Sequence, residues 1–459
     1  MKKKVIVGFA VTTALLSVAA GRHRASAPPA TLALNASRSF AVTDIPLLEK
    51  AFPFRRVLDS IVAGSATTSE QLIRQMFDTQ NPRPGMADAT APHCDDFLVD
   101  GMPTFNGFPR RCPTPEGKLA AVPFAPDQYE PLALINRFDM APADGGNCGQ
   151  YRIIYEGTVP TPGHVDVILE AVLPNPHREL GLAGCRPVAQ FWADLSAVDS
   201  LEERRVRLER FFFDGIDGFE GVLRADHYTL ASGGGIRTRH TTVVTIPTPA
   251  ARTYQFRTER QCPPSGACVL RLVPDVLENF PFGPMFDASI DTPVARAFRE
   301  NFIAQIPTLA INDLNLMRMK VDRQFLVGES NPLDATRAFD YIAPFLGSQS
   351  TDEGKAFRAR IDAELKRIGS DLTPENIVAR AQTQTCSGCH FVPQSIGGGL
   401  IFPGAFDIAQ VTQFDRLPGD GGPNSRWGIS AAMEKVFLPN RVRILREFLQ
   451  SGQPPEHSN

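Results

Sequence analysis

The N-terminus decides the chemistry open to everything that follows it. In "MKKKVIVGFAVTTALLSVAAGRHRASA", Lys2, Lys3 and Lys4 precede an apolar stretch from Val5 to Ala20. That stretch is short and ends in the small residues Val18, Ala19 and Ala20, with Ala25-Ser26-Ala27 offering a second small-residue site. The pattern predicts a secretory signal peptide over residues 1–20, with cleavage as late as residue 27, rather than a retained anchor. No later stretch reads as a membrane span. The chain is therefore expected in the periplasm or outside the cell, where thiols oxidise.

Eight cysteines follow that leader. Chain order suggests the disulfides Cys94–Cys112, Cys148–Cys185 and Cys262–Cys268, although six cysteines allow other connectivities. Local geometry favours one pair alone. Cys262 and Cys268 bracket "PPSGA", a turn-forming run between two strand-like segments. The remaining pair is Cys386 and Cys389. Net charge is −3, and neither a basic block nor an acidic tail appears, so nothing points to nucleic acid. Partners have to be argued from sites.

The hydrophobic pattern predicts an α+β protein. After a small, polar leader from residue 28, one helix is expected near Asp44 to Val62. A second starts at Thr67, with Glu70 completing a capping box. Irregular Pro/Gly-rich chain continues to about Asp127. "LALINRF", "QYRIIYEG" and "HVDVILEAVLP" read as strands, followed by a helix from Ser200 with Glu203 as its capping partner. Further strands are expected in "GVLRADHYTL", "IRTRHTTVVTI", "TYQFRTE" and "CVLRLVP". Strands without regular helical alternation predict a largely antiparallel sheet in a disulfide-containing body over 28–290. The pattern then turns helical. Residues 291–370 form a helical connector, in which Phe357, Ile361, Leu365 and Ile368 fall on one stripe and Gly369 caps it. Residues 371–452 form a small all-α module, and 453–459 a tail.

That module opens with "DLTPENIVARAQTQTCSGCH". Thr373 suits an N-cap, Pro374 the first helical position and Glu375 the first turn. A helix begun there runs into Cys386, and on a helix Cys386 and Cys389 share a face with His390 beside them. C-x-x-C-H at this spacing suits haem c, with two thioethers on the porphyrin vinyls and an adjacent imidazole on iron. With eight Cys and eight His in 459 residues, chance alone yields the motif about 0.002 times. A Cys386–Cys389 disulfide followed by an unrelated histidine is the alternative. Zinc would need a second ligand pair, and a thioredoxin-like site a preceding strand. Neither is visible.

Residues 371–452 resemble a small monohaem c-type cytochrome domain. The likeness rests on the capped helix entering Cys386-Ser387-Gly388-Cys389-His390, the Gly-rich loop with Pro393 and Leu400, and a C-terminal amphipathic helix, "NRVRILREFLQSG". It implies one covalently attached haem c, His390 as proximal iron ligand, and electron transfer to a redox partner or a small-molecule substrate. "INRFDMAPADGGNCGQYR" is similar to segments of uncharacterised secreted bacterial proteins, which implies no activity.

Such domains commonly offer a methionine as distal ligand. Met433 is the methionine that follows His390, but Ile429, Met433, Val436 and Phe437 also form a helical stripe that a core would explain. His164, His177, His227, His240, Met317 and Met319 are other donors. An open iron position would instead allow the chemistry of a haem-dependent oxidoreductase.

Other polar groupings read as structure. "NRFDMAPADGGNC" packs Asn136, Arg137, Asp139, Asp144 and Asn147 as a turn held by side-chain hydrogen bonds and the Cys148 bridge. "FFFDGIDGFEG", with Asp214, Asp217 and Glu220, lacks calcium-loop spacing and reads as a helix end followed by turns. "SGGGIR" lacks the context of a phosphate loop. The competing function is thus a cofactor-free exported binding or structural protein with a fourth disulfide.

Overall fold

The computed structural model describes residues 32–77, 98–112, 126–157, 165–242, 250–330, 340–385, 395–396, 399–400, 425–430 and 432–451. The chain from Leu34 onward forms one compact unit. Its centre is a seven-stranded sheet whose spatial order follows chain order. The strands are β1 (Ala41–Val42), β2 (Tyr129–Arg137), β3 (Asn147–Gly157), β4 (Val165–Pro174), β5 (Gly235–Thr242), β6 (Ala250–Gln261) and β7 (Val269–Asp275). Every pairing is antiparallel. The fold is therefore α+β around a large antiparallel sheet, as the alternation predicts. Six of the expected strands lie in it.

One face of the sheet is apolar and covered by helices. Tyr151, Ile153 and Tyr155 alternate along β3 and are buried. Helices α1 (Ile45–Ala51) and α2 (Phe54–Val62) pack on β2, α3 (Ser69–Phe77) on β7, α4 (Arg186–Ser196) on Tyr151, and α5 (Leu201–Glu209) on α1. Trp192 of α4 stacks on Tyr151 with ring centroids 5.8 Å apart, and Phe54 of α2 meets Tyr155 at 4.5 Å. Tyr155 spends its hydroxyl on the Phe52 carbonyl, at 2.9 Å.

Local chemistry revises three expectations. The helix expected over Asp44 to Val62 is two helices, because Pro53 lacks a backbone donor and serves as the N-cap of α2. The cap of α3 is Thr68 with Gln71, not Thr67 with Glu70. Thr68 Oγ1 accepts from the Gln71 N–H at 3.2 Å, and Gln71 Oε1 accepts from the Thr68 N–H at 2.8 Å. Thr67 instead satisfies the free edge of β7, donating to the Leu270 carbonyl and accepting from its N–H. Gln75 continues this edge cover by accepting from the Leu272 N–H at 2.8 Å. Finally, "GVLRADHYTL" is not a strand. Its buried positions, Val222, Leu223, Ala225, His227 and Tyr228, do not alternate, and Ala225–Tyr228 forms a 3-10 turn. The helix from Ser200 does form, with the serine side chain accepting from the Glu203 N–H.

A second layer of core lies C-terminal to the sheet. It is built by α6 (Pro293–Leu309), α7 (Ile342–Gly347), α8 (Asp352–Arg367) and α9 (Pro374–Thr383). Phe357, Ile361 and Leu365 of α8 are buried there as the stripe predicts, and Gly369 past its end has φ +67°. Phe286 meets Phe298, Phe302 and Tyr341 within 4.6 to 5.0 Å. The last helix, α10 (Leu438–Ser451), packs on α4 and on the turn Phe138–Met140 after β2. The helices expected in one C-terminal module, α9 and α10, thus each pack on a different part of the unit.

Two of the expected disulfides are present, Cys148–Cys185 and Cys262–Cys268. Cys112 is also disulfide-bonded. Its expected partner, Cys94, lies outside the described residues. Among the described residues, no helix is long and apolar enough to cross a membrane.

Candidate functional site

The approach to "CSGCH" is a buried, doubly capped helix. Thr373 Oγ1 accepts from the Asn376 N–H at 3.2 Å, and Asn376 Oδ1 accepts from the Thr373 N–H at 3.1 Å. Pro374 takes the first position, and Glu375 binds Arg358 at 3.0 Å. From Asn376 to Thr383 every residue of α9 is buried. The helix does not reach Cys386 as expected. It stops at Thr383, where the hydroxyls of Thr383 and Thr385 turn back to the carbonyls of Arg380 and Gln382, each at 2.7 Å. Such local side-chain bonds compete with helix continuation. Cys386, Cys389 and His390 lie outside the described residues.

Arg380 fastens α9 to the end of α6. Its side chain is 1 % exposed. It donates to the carbonyls of Leu309 at 3.1 Å and Ile311 at 3.2 Å, and to Asn312 Oδ1 at 2.7 Å. Burial lowers its pKa to about 10. The guanidinium caps the carbonyl end of a helix, where the backbone partial charge is negative.

The other candidate donors are scattered. Met433 begins a π-turn over Met433–Phe437 ahead of α10, and its N–H donates to Ser430 Oγ at 3.2 Å. With Ile429, Val436 and Phe437 it is half-buried, so this stripe is not sealed in a core. Met319 is buried in the helical core, and Met317 is buried nearby in sequence, on the chain that leaves the Arg380 clamp. His177 is half-exposed, with Nδ1 3.6 Å from the Glu179 carboxylate. His227 is buried, with Nδ1 2.9 Å from the Val222 carbonyl oxygen, and burial pushes its pKa below the usual range. His240 lies in β5, and His164 is outside the described residues. Among the described residues, no three His, Cys, Asp or Glu side chains gather as a metal site.

The second face of the sheet carries a charge network that the sequence reading did not anticipate. Arg152 of β3 stands opposite Glu170 of β4, which stands opposite Gly235 of β5. Glu170 is 3 % exposed and pairs with Arg152 and Arg237, both at 3.2 Å. A side chain at Gly235 would strike Gln255 and Arg257, so the glycine makes room for them. Arg257 in turn binds Asp275 at 2.5 Å and Glu278 at 3.0 Å. Burial opposes ionisation of Glu170, but Arg152, Arg237, Arg257 and Arg137 hold its pKa below the usual carboxylate range.

The network continues to Asp139, beside α10. Arg137 grips its carboxylate through Nε at 3.0 Å and Nη2 at 2.9 Å. Arg441 of α10 lies further off, with Nε 3.7 Å from Asp139 Oδ1. Burial is overcome at Asp139 by Arg137, Arg441 and Arg152, which keep it ionised. At Arg441, burial and the like charges of Arg137 and Arg152 pull the pKa down to about 9 despite Asp139. The sequence signal was arginine within strands, at alternate positions in "IRTRH" (Arg237 and Arg239) and singly in "QYRIIYEG" (Arg152). Such a pattern equally describes a solvated face.

The turn residues behave as the sequence suggested. Asn136, Asp144 and Asn147 each accept a backbone N–H two residues on, from Phe138, Gly146 and Gly149, at 2.9 Å. The chain after Phe213 turns through Gly215, with φ +97°, into the hairpin Gly215–Ile216 and Phe219–Glu220.

No family model matches the chain, and no curated protein and no solved structure matches it.

Proposed function

We propose that this chain is an exported c-type haem protein that transfers electrons through one covalently bound haem. The observation that carries the reading is Cys386-Ser387-Gly388-Cys389-His390 directly after the capped helix α9. Cys386 and Cys389 would hold the porphyrin by thioethers, and His390 would be the proximal ligand. When bound, the haem supplies one-electron chemistry. The residues on hand fit that group. Two thiols and an imidazole stand within five positions of the sequence, and the helix α9 that precedes them in the chain is itself held to the helical core through Arg380. The disulfides Cys148–Cys185 and Cys262–Cys268 accord with an oxidising compartment, the periplasm or the outside of the cell. Met433, which is half-buried, is the proposed distal ligand.

The test is the double variant Cys386→Ser/Cys389→Ser, made with the wild type in a host that matures c-type haem. The wild type should carry haem through denaturing purification and the variant should not. No haem in either protein would support the cofactor-free alternative with a Cys386–Cys389 disulfide, and equal haem in both would show that these cysteines do not hold it.

A further inference from the structure

Where the charged face of the sheet meets α10, guanidinium groups exceed the carboxylates that reach them. Arg137 takes Asp139 through two of its nitrogens, and Arg152 has Glu170 at 3.2 Å. Among the described residues, no carboxylate lies within hydrogen-bond distance of Arg441, since Asp139 stays at 3.7 Å from its Nε. Yet the Arg441 side chain is 7 % exposed, and its Nη1 is buried without a hydrogen-bond partner. Besides Asp139, the charges that act on it are those of Arg137 and Arg152, which repel it. A buried guanidinium left in this state is costly, and a protein tolerates it where something else completes the group.

We propose that Arg441, Arg152, Arg137 and Asp139 form a binding site for a small molecule bearing one carboxylate. The missing partner of Arg441 is one negative charge. A planar two-oxygen group matches the fork of a guanidinium better than a spherical anion does. Access fixes the orientation. The side chains of Arg137 and Arg152 remain 21 % and 25 % exposed, so the ligand enters over them and turns its carboxylate inward to Arg441. Asp139 excludes dianions by repulsion and holds Arg137 in place. The site is independent of the haem reading, because none of its residues belongs to that motif.

Acetate is the probe, titrated calorimetrically into the full mature protein at fixed ionic strength, with chloride as the control. The expected result is a saturable one-to-one interaction with acetate and none with chloride. Arg441→Met should abolish it, and Arg152→Gln should weaken it by about tenfold, as loss of one charge-assisted hydrogen bond implies. Identical responses to acetate and chloride, or unchanged acetate binding in Arg441→Met, would overturn the proposal. If Arg441→Met does not fold, Arg152→Gln decides, and unchanged acetate affinity there overturns it as well.

Discussion

Replacing Arg380 with methionine should loosen the helix that leads to the cysteine motif. The side chain donates three hydrogen bonds, to Leu309, Ile311 and Asn312. Leu309 is fully buried, so its carbonyl would stay unpaired, at a cost of about 1–3 kcal/mol. Ile311 and Asn312 are exposed, so water can replace the arginine there, and each lost bond costs about 0.5–1 kcal/mol. Relief from burying a charge, and the methionine's own packing, offset part of the sum. The net expectation is a local destabilisation of about 2 kcal/mol. Hydrogen exchange read by mass spectrometry is the suitable assay, because a chain of this size need not unfold in two states. Peptides covering α9 and residues 305–320 should exchange about 30-fold faster, the equivalent of 2 kcal/mol. Arg380→Lys keeps the charge but not the fork, and should show an intermediate rise. Unchanged exchange in Arg380→Met, with the rest of the molecule intact, would refute the view that this residue fastens α9 to α6.

Other consequences follow from single positions. His227 is buried with a depressed pKa, so the unfolded chain takes up a proton first as pH falls below its ordinary value of 6.5. Its contribution is complete above that pH and is lost on acidification towards the folded value. The drop in urea midpoint between about pH 7.5 and about pH 5 should therefore be smaller in His227→Gln than in wild type. Opening the disulfide between the fully buried Cys148 and Cys185 with a double serine variant should cost about 2–5 kcal/mol, measured by denaturant titration. Gly145 has φ +69°, and a β-carbon there would strike the Gly181 backbone, whereas Gly64 at φ +74° faces open space. Gly145→Ala should lose at least about 2 kcal/mol and Gly64→Ala about 1 kcal/mol, a difference read from their urea midpoints.

Much of the fold was legible because it depends on near neighbours. Alternation in "QYRIIYEG" and "HVDVILEAVLP" marks strands whose one face must be buried, and that face is packed by Trp192 and Phe54. The cap at Thr373 and the turn between Cys262 and Cys268 are decided within a few residues. What escaped depends on distant chain. Thr67 looks like a cap until the free edge of β7 arrives beside it, some two hundred residues later in sequence. The strand arginines look solvated until Arg441 and the other elements close over them. Of the candidate site, the sequence supplies the five-residue motif and its entering helix. The stop at Thr383 follows from two threonine hydroxyls that a propensity reading does not weigh.

The central claim is covalent haem at Cys386 and Cys389. It is tested most directly by the intact mass and visible spectrum of the denatured protein, produced in a host that matures c-type cytochromes. The account predicts the mass of the processed chain plus one haem, with a haem spectrum that survives denaturation. An apo mass two hydrogens lighter at the Cys386–Cys389 pair, without visible absorbance, would contradict it and make the motif a disulfide clasp.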